Sequence, residues 1–343
     1  MNEAKKELTA ITSKLLNPDS TFGEVFQAVK EYKSLLLNAT SLDFGDMETE
    51  ASIYTDSGKA IGPRWASLCV DDTFRTQKFC RGLLKAVQQK REENPTRKVH
   101  ILYAGTGPFA TLALPLTTFY SSEEISFTFL EINELSIKGL RETIAYFEIE
   151  DYIRLIEKTD ATTYKLKNNK EIDIVIIEAM MFSLKGEHQV PISYNLISQL
   201  SNDVVLIPQE ISLNLLAVNS ERRHANKQSL GEPISYFEPL GTLFKLNKEE
   251  IYKQTTLFFE TFPETEFPEN KIEIPNAINR NFNELHVETK ITIFKDEVLQ
   301  IDESGLTTLD KFHEFKSMMR PAKYLVSTYM CGRQPGLYFR FEN

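Results

Sequence analysis

The residues of this 343-residue chain that are best placed for chemistry are two glycines and two carboxylates, each at the end of a strand-like run. The apolar run Val99–Tyr103 breaks at Gly105-Thr106-Gly107, and a helix-compatible segment follows. A strand that is stopped by two glycines and turned into a helix leaves backbone N–H groups free at the helix N-terminus. They face the carboxyl end of the strand, where open α/β sheets bind the polar head of a ligand. Glu131 closes a second run, Ile125–Leu130, about one βαβ half-unit later. A carboxylate there can accept both hydroxyls of a ribose, and it is equally at home as a solvated strand end. Asp160 follows a third run, Tyr152–Ile156, where an adenine amino group can be read. The glycine turn alone leaves a dinucleotide site open, because Ala110 is an acceptable third residue of that fingerprint.

A frame of alternating strands and helices is needed to bring these positions together. Residues 2–16 and 21–37 read as two amphipathic helices, the second opened by a Thr21/Glu24 capping box. A looser stretch runs from Asn38 to Pro63, and a longer helical pattern then spans Trp65 to about Gln89. The charged linker Lys90–Lys98 leads into the glycine-interrupted strand. Leu135–Phe147 reads as a helix, Ile172–Ile177 as a fourth strand ending in Glu178, Pro191–Leu200 as a helix and Val204–Pro208 as a fifth strand. This rhythm predicts a parallel sheet with helices on both faces. After about Leu216 the texture changes to short alternating strands (His286–Phe294, Tyr324–Cys331, Leu337–Phe341), with some helix near Leu309–Met319. The expected organisation is an N-terminal helical region (1–64), an α/β ligand-binding domain (65–216) and a β-rich domain (217–343).

Composition narrows the classes of function. With 41% hydrophobic and 26% charged residues the chain is that of an ordinary soluble globular protein, and no apolar run approaches the roughly 20 residues of a membrane span. The charged N-terminus does not read as a signal peptide. Three cysteines without a CxxC and five scattered histidines predict a reducing, cytoplasmic setting and no metal site. A formal charge of −10 argues against a nucleic-acid partner and suits a basic substrate.

In this order, strand, Gly-x-Gly, strand-end Glu and later Asp resemble a class I S-adenosylmethionine-dependent methyltransferase. Tyr103 stands where that family often carries an acidic residue before the glycine turn. The stretch Asp173–Glu187 is similar to the double-glutamate loop of the protein arginine methyltransferases. Asp173, Glu178, Met180, Phe182, Leu184 and Glu187 fall in register with it, while Ala179 and Met181 replace the family's tryptophan and glycine. Asp72-Thr-Phe-Arg75-Thr76 matches the family's Asp-x-x-Arg-Thr helix, and Val205–Pro208 with Ile211–Ala217 resembles the strand that leads into its barrel domain. The resemblance covers roughly Trp65–Ala217. The family's tyrosine-rich N-terminal motif and its Thr-His-Trp segment are not recognisable.

The resemblance implies a Rossmann-like methyltransferase sheet with an N-terminal helical part and a C-terminal β-rich, barrel-like domain. S-adenosylmethionine is the implied cofactor, held by Arg75, Tyr103, Gly105, Gly107, Glu131 and Asp160. Arg75 fits the role of gripping its carboxylate, since a guanidinium fork makes two parallel hydrogen bonds. Glu178 and Glu187 are the implied catalytic pair, binding a guanidine nitrogen acceptor of a peptide or small molecule. Ser220–Phe267 sits where the family inserts its dimerisation arm, which implies a homodimer. Two other readings stay open: another acceptor (O- or amide N-methylation), and a non-catalytic scaffold that keeps the fold.

Overall fold

The structure is a computed structural model and describes residues 2–343 except 168, 229–233, 277, 279–280 and 316–321. Helices α1 (Glu3–Leu16) and α2 (Phe22–Asn38) form an antiparallel pair. The capping box at Thr21 fixes the start of α2, with Glu24 accepting the Thr21 N–H at 2.8 Å. Leu8, Ile11, Leu15, Val25, Val29 and Leu36 recur at helical spacing and are buried. The pair is tied to the rest by Tyr32, whose hydroxyl donates to the Thr111 carbonyl at 2.7 Å, and by Gln77, which donates to the Leu15 carbonyl at 3.2 Å.

Between these helices and the sheet lie a short helix α3 (Met47–Glu50) and the hairpin β1 (Ile53–Thr55) and β2 (Gly58–Ala60). The single helix expected over Trp65–Gln89 is two helices, α4 (Pro63–Leu68) and α5 (Thr73–Glu93), joined by a 3-10 turn at Cys69–Asp71. Asp72 is the cause of the break. Its extended backbone ends the first segment, and its carboxylate accepts the Arg75 N–H at 3.1 Å as the N-cap of α5. Arg75 thereby sits in the first turn of a new helix.

Strands β3 (Val99–Ala104), β4 (Ile125–Glu131), β5 (Ile153–Lys158), β6 (Ile174–Ile177) and β7 (Val205–Ile207) form one parallel sheet in the order β5-β4-β3-β6-β7. Helices α6 (Glu134–Tyr146) and α7 (Gln189–Ile197) belong to its crossovers. β3, β4 and β6 are buried along their whole length, as covered parallel strands must be. The strand order reverses between β3 and β6, the place where such sheets open a crevice. Ala104 pairs with both Leu130 and Ile177, so Gly105, Glu131 and Glu178 follow in line along the carboxyl edge.

The α-helix expected after the glycine turn does not form. Residues 107–113 are turns, followed by a 3-10 helix at Leu114–Thr118. Ala110 adopts φ 45°, and its carbonyl takes both the Ala113 and Leu114 N–H groups, which closes a turn instead of propagating a helix. Pro108 and Pro115 lack the N–H that a continuing helix would use.

Strand β8 (Glu210–Val218) crosses the expected 216/217 division and pairs entirely with the C-terminal strands. After α8 (Ser220–Gln228) come β9 (Phe237–Asn247), α9 (Lys248–Thr261), β10 (Asn270–Glu273), β11 (Glu284–Phe294), β12 (Glu297–Leu299), β13 (Asp310–Glu314), β14 (Tyr324–Met330) and β15 (Gly336–Glu342). They build two antiparallel sheets, β12-β11-β8-β9 with β13 on β11, and β10-β14-β15. The helix expected near Leu309–Met319 is instead strand β13, because Asp310, Lys311, His313 and Glu314 pair with β11; residues 316–319 lie outside the described ones. The main apolar core runs from α1 and α2 through the parallel sheet to β8, β11 and β14, and a small separate cluster forms around Leu216, Val218 and Leu309. Among the described residues no helix is long and apolar enough to cross a membrane, and no group of three or more metal-ligating side chains forms.

Candidate active site

A cavity of about 360 Å³ opens at the carboxyl edge of the parallel sheet. That is within the range of roughly 300–1,000 Å³ usual for small-ligand sites. Arg75, Tyr103, Gly105, Gly107, Glu131, Asp160, Glu178 and Glu187 all line it. Arg75 and Glu178, 103 positions apart in the chain, meet there because α5 begins, and β3, β4, β5 and β6 end, at one edge.

Arg75 reaches across from α5, and its Nη2 donates to Glu178 Oε1 at the end of β6. Burial alone would lower the Arg75 pKa, but Glu178, together with Cys69 and Asp72, outweighs it and the net shift is upward. Glu178 is raised by burial, with Arg75 pulling the other way. Among the described residues Glu187 has no such partner. Burial and then the Glu178 charge push it up to about 7, against a weaker pull from Arg75 and Lys59. Tyr103 is buried on β3, and burial raises its hydroxyl well above the usual value.

Glu131 is occupied in a way the sequence does not reveal. Its Oε1 accepts the Ile132 and Asn133 N–H groups, both at 2.9 Å, and its Oε2 accepts the Gly107 N–H at 2.8 Å. The Gly105 N–H goes to the Leu130 carbonyl at 3.0 Å. The glycine turn therefore presents no free N–H pair of the kind expected. With two lone pairs per oxygen, the Glu131 carboxylate retains about one acceptor position. Burial raises its pKa, opposed first by the Asn133 and Gly107 N–H groups. Asp160 caps its own turn, accepting the Thr162 N–H at 2.8 Å and hydroxyl at 2.7 Å.

Glu187 is carried by an irregular segment after β6. The Gln189 side chain brackets the start of it, donating to the Ile177 carbonyl and accepting the Ala179 N–H, each at 3.0 Å. The hairpin β1–β2 covers the end. The Lys59 N–H donates to the Gly186 carbonyl at 2.8 Å, and Thr55 Oγ1 lies 2.8 Å from His188 Nε2. Ser57 adds a 3.4 Å hydrogen bond to Thr162 beside Asp160.

Several lining residues are not legible as such in the sequence. Lys59 and Cys69 come from the N-terminal connection, and Gly305 and Leu306 from the C-terminal part. His188 is also in the lining, with its pKa lowered by burial; its only signal in the sequence is that it follows Glu187. His286 lies elsewhere, on β11, with its Nε2 bonded to Glu284 at 2.8 Å.

No family model and no curated protein matches this sequence. Solved structures do match. The Trypanosoma brucei PRMT1 enzyme–prozyme heterotetrameric complex with AdoHcy is similar at TM-score 0.50 and 14% identity, over 80% of this chain and 92% of that one. A structure of PRMT6 with SAH is similar at TM-score 0.47 and 9% identity, over 77% of this chain and 96% of that one. At this distance the first likeness establishes the fold: a Rossmann-like methyltransferase sheet followed by a β-rich, barrel-like part.

Proposed function

We propose that this chain is an S-adenosylmethionine-dependent methyltransferase that acts on a guanidine nitrogen, with Glu178 and Glu187 holding the acceptor. The observation that carries this reading is the charge of the cavity. Four carboxylates (Glu131, Asp160, Glu178, Glu187) line it against two cations (Lys59 and Arg75). Glu178 and Glu187 are two of those carboxylates, and among the described residues Arg75 pairs with Glu178 only, which leaves Glu187 without a paired cation.

The donor set fits the cofactor. Strands lie roughly 4.8 Å apart, so the ends of β6, β4 and β5 span on the order of 15 Å, the reach of an extended amino-acid nucleoside. Arg75 has five donors, and one Glu178 contact leaves others to grip a ligand carboxylate. Glu131 keeps one position for a ribose hydroxyl, and Asp160 stands where an adenine amino group would fall. Leu112, Leu130, Ile132 and Ile192 give the wall its apolar stretch. When bound, the cofactor supplies an electrophilic sulfonium methyl.

The chain's own work is alignment and electrostatics. A guanidinium is a poor nucleophile because its lone pairs are delocalised. Glu178 and Glu187 fix its plane and draw positive charge toward the nitrogens they bind. The remaining nitrogen then keeps more electron density and faces the methyl group. Glu187, pushed up to about 7, is matched to accept the proton that the guanidinium releases after transfer. Self-association through Ser220–Phe267 belongs to the same reading and is checked by light scattering.

Titration calorimetry with S-adenosylhomocysteine, and mass spectrometry of free arginine and arginine peptides incubated with S-adenosylmethionine, test the proposal. Glu178→Gln and Glu187→Gln should each abolish product while cofactor binding survives. Near wild-type turnover in both variants would point to a neutral acceptor instead.

A further inference from the structure

Glu187 stands at the end of a segment whose backbone side chains resist. Ser183 and Leu184 are consecutive, with φ 58° and 52°, in the left-handed region. That conformation costs roughly 1–2 kcal/mol per residue for anything but glycine. Both residues are buried. A strained buried turn persists only where its surroundings over-determine it, and here they come from the C-terminal sheets.

Each successive residue of the turn is held from that side. On β11, Thr289 Oγ1 accepts the Ser183 N–H at 2.7 Å. On β14, the Tyr329 hydroxyl donates to the Leu184 carbonyl at 2.8 Å, and its ring is itself fixed by stacking on Phe244 at 4.4 Å. The Pro335 carbonyl accepts the Gly186 N–H at 2.9 Å. Asp310, on β13, does something the others do not. Its Oδ2 accepts the Ser183 hydroxyl at 2.8 Å and pairs with the Lys185 ammonium, so one oxygen grips the chain on both sides of Leu184.

We propose that Asp310 is a positioning residue, which holds the 182–186 turn in its left-handed form so that Glu187 faces Glu178 in the cavity. The role assigned to Glu187 rests on the proposed function; the placement of Glu187 does not, and it can be tested without any acceptor. Asp310 itself touches neither the cavity lining's glutamates nor the cofactor-side residues, so its effect is transmitted through the turn.

The test uses the full chain without ligand, selectively labelled with ¹³Cδ-glutamate, and Glu187→Gln assigns the signal. In the wild type Glu187, which faces Glu178, Arg75, Lys59 and Cys69, should titrate near 7. In Asp310→Ala its midpoint should fall by at least one pH unit, as the released side chain reaches water. Exchange of the Gly186 amide should accelerate at least tenfold, while the Gly107 amide, held by Glu131, keeps its wild-type rate. Asp310→Asn, which can still accept the Ser183 hydroxyl, should lie between the two. An unchanged Glu187 midpoint and Gly186 exchange in Asp310→Ala would overturn the proposal. Should that variant lose its cooperative melt, Ser183→Ala replaces it and must show the same two changes, or the proposal fails. A protein that binds no S-adenosylhomocysteine but shows both changes would refute the methyltransferase reading and leave the role of Asp310 standing.

Discussion

Arg75 and Glu178 form a largely buried ion pair that joins the first turn of α5 to the carboxyl end of β6, with side chains only 13% and 11% exposed. Breaking such a pair from one side leaves a charge in a poorly solvated place, which costs on the order of 3–5 kcal/mol. Arg75→Met and Glu178→Gln should therefore each lower stability by a few kcal/mol. The double variant should cost clearly less than the two together, because it strands no charge. Urea unfolding of the four proteins measures the coupling, and additive losses would mean that the pair is not formed in solution.

Glu187 makes a prediction with a definite sign. Its folded pKa, pushed up to about 7, lies above the ordinary carboxylate value of 4.5. The folded state thus binds the proton more tightly than the unfolded one. The resulting stability is fully present below about 4.5 and is lost as pH rises through about 7, by about 3 kcal/mol. The difference between wild type and Glu187→Gln in urea midpoint, followed from pH 5 to pH 8, isolates this group. Guanidinium binding should run the other way, strengthening over the same window as the carboxylate ionises. Parallel curves for the two proteins would remove the unpaired carboxylate from the account.

Much of the frame is legible in the sequence, because β3, β4 and β6 are buried on both faces and read as nearly unbroken apolar runs bounded by Gly105, Glu131 and Glu178. The departures arise where a local pattern meets a long-range demand. Trp65–Gln89 has one helical periodicity, yet Asp72 also serves Ser304 and Gly305 at 2.7 and 2.8 Å, and that tie keeps it as a cap between two helices. Lys311 and His313 pair with β11, so Leu309–Met319 begins as a strand whatever its propensity. The eight candidate residues meet at one cavity, but what each is bonded to comes from partners far off in the chain. Glu131 holding the Gly107 N–H and Asp310 holding Ser183 are contacts that no spacing announces.

Glu131 ought to be structural as well as ligand-binding. Its carboxylate satisfies three backbone N–H groups, and leaving each one unpaired costs roughly 1–3 kcal/mol where water cannot replace it. Glu131→Ala should lower the urea midpoint markedly and weaken S-adenosylhomocysteine binding at least tenfold. Calorimetry at a temperature where the variant is folded separates the two effects. Unchanged cofactor affinity would make the residue a turn-former only.

The hairpin that covers Glu187 can be probed at a single atom. Gly58 has φ +138°, a conformation almost closed to L side chains. A Cβ there would also meet the Gly186 carbonyl oxygen at 3.1 Å and His188 Cδ2 at 3.3 Å. Those are the groups that fasten β1–β2 to the Glu187 segment through the Lys59 N–H and Thr55. Gly186 is the matched control: its φ is +73°, but a Cβ there meets no atom within 4 Å, so alanine adds only backbone strain of roughly 1–2 kcal/mol. Gly58→Ala should consequently be the more damaging change. Hydrogen exchange at the Lys59 amide should rise at least tenfold in Gly58→Ala, and S-adenosylhomocysteine should dissociate faster as the cover lifts. If the two alanine variants exchange and release ligand alike, contact with Gly186 and His188 is not what seats the hairpin, and backbone strain alone accounts for both.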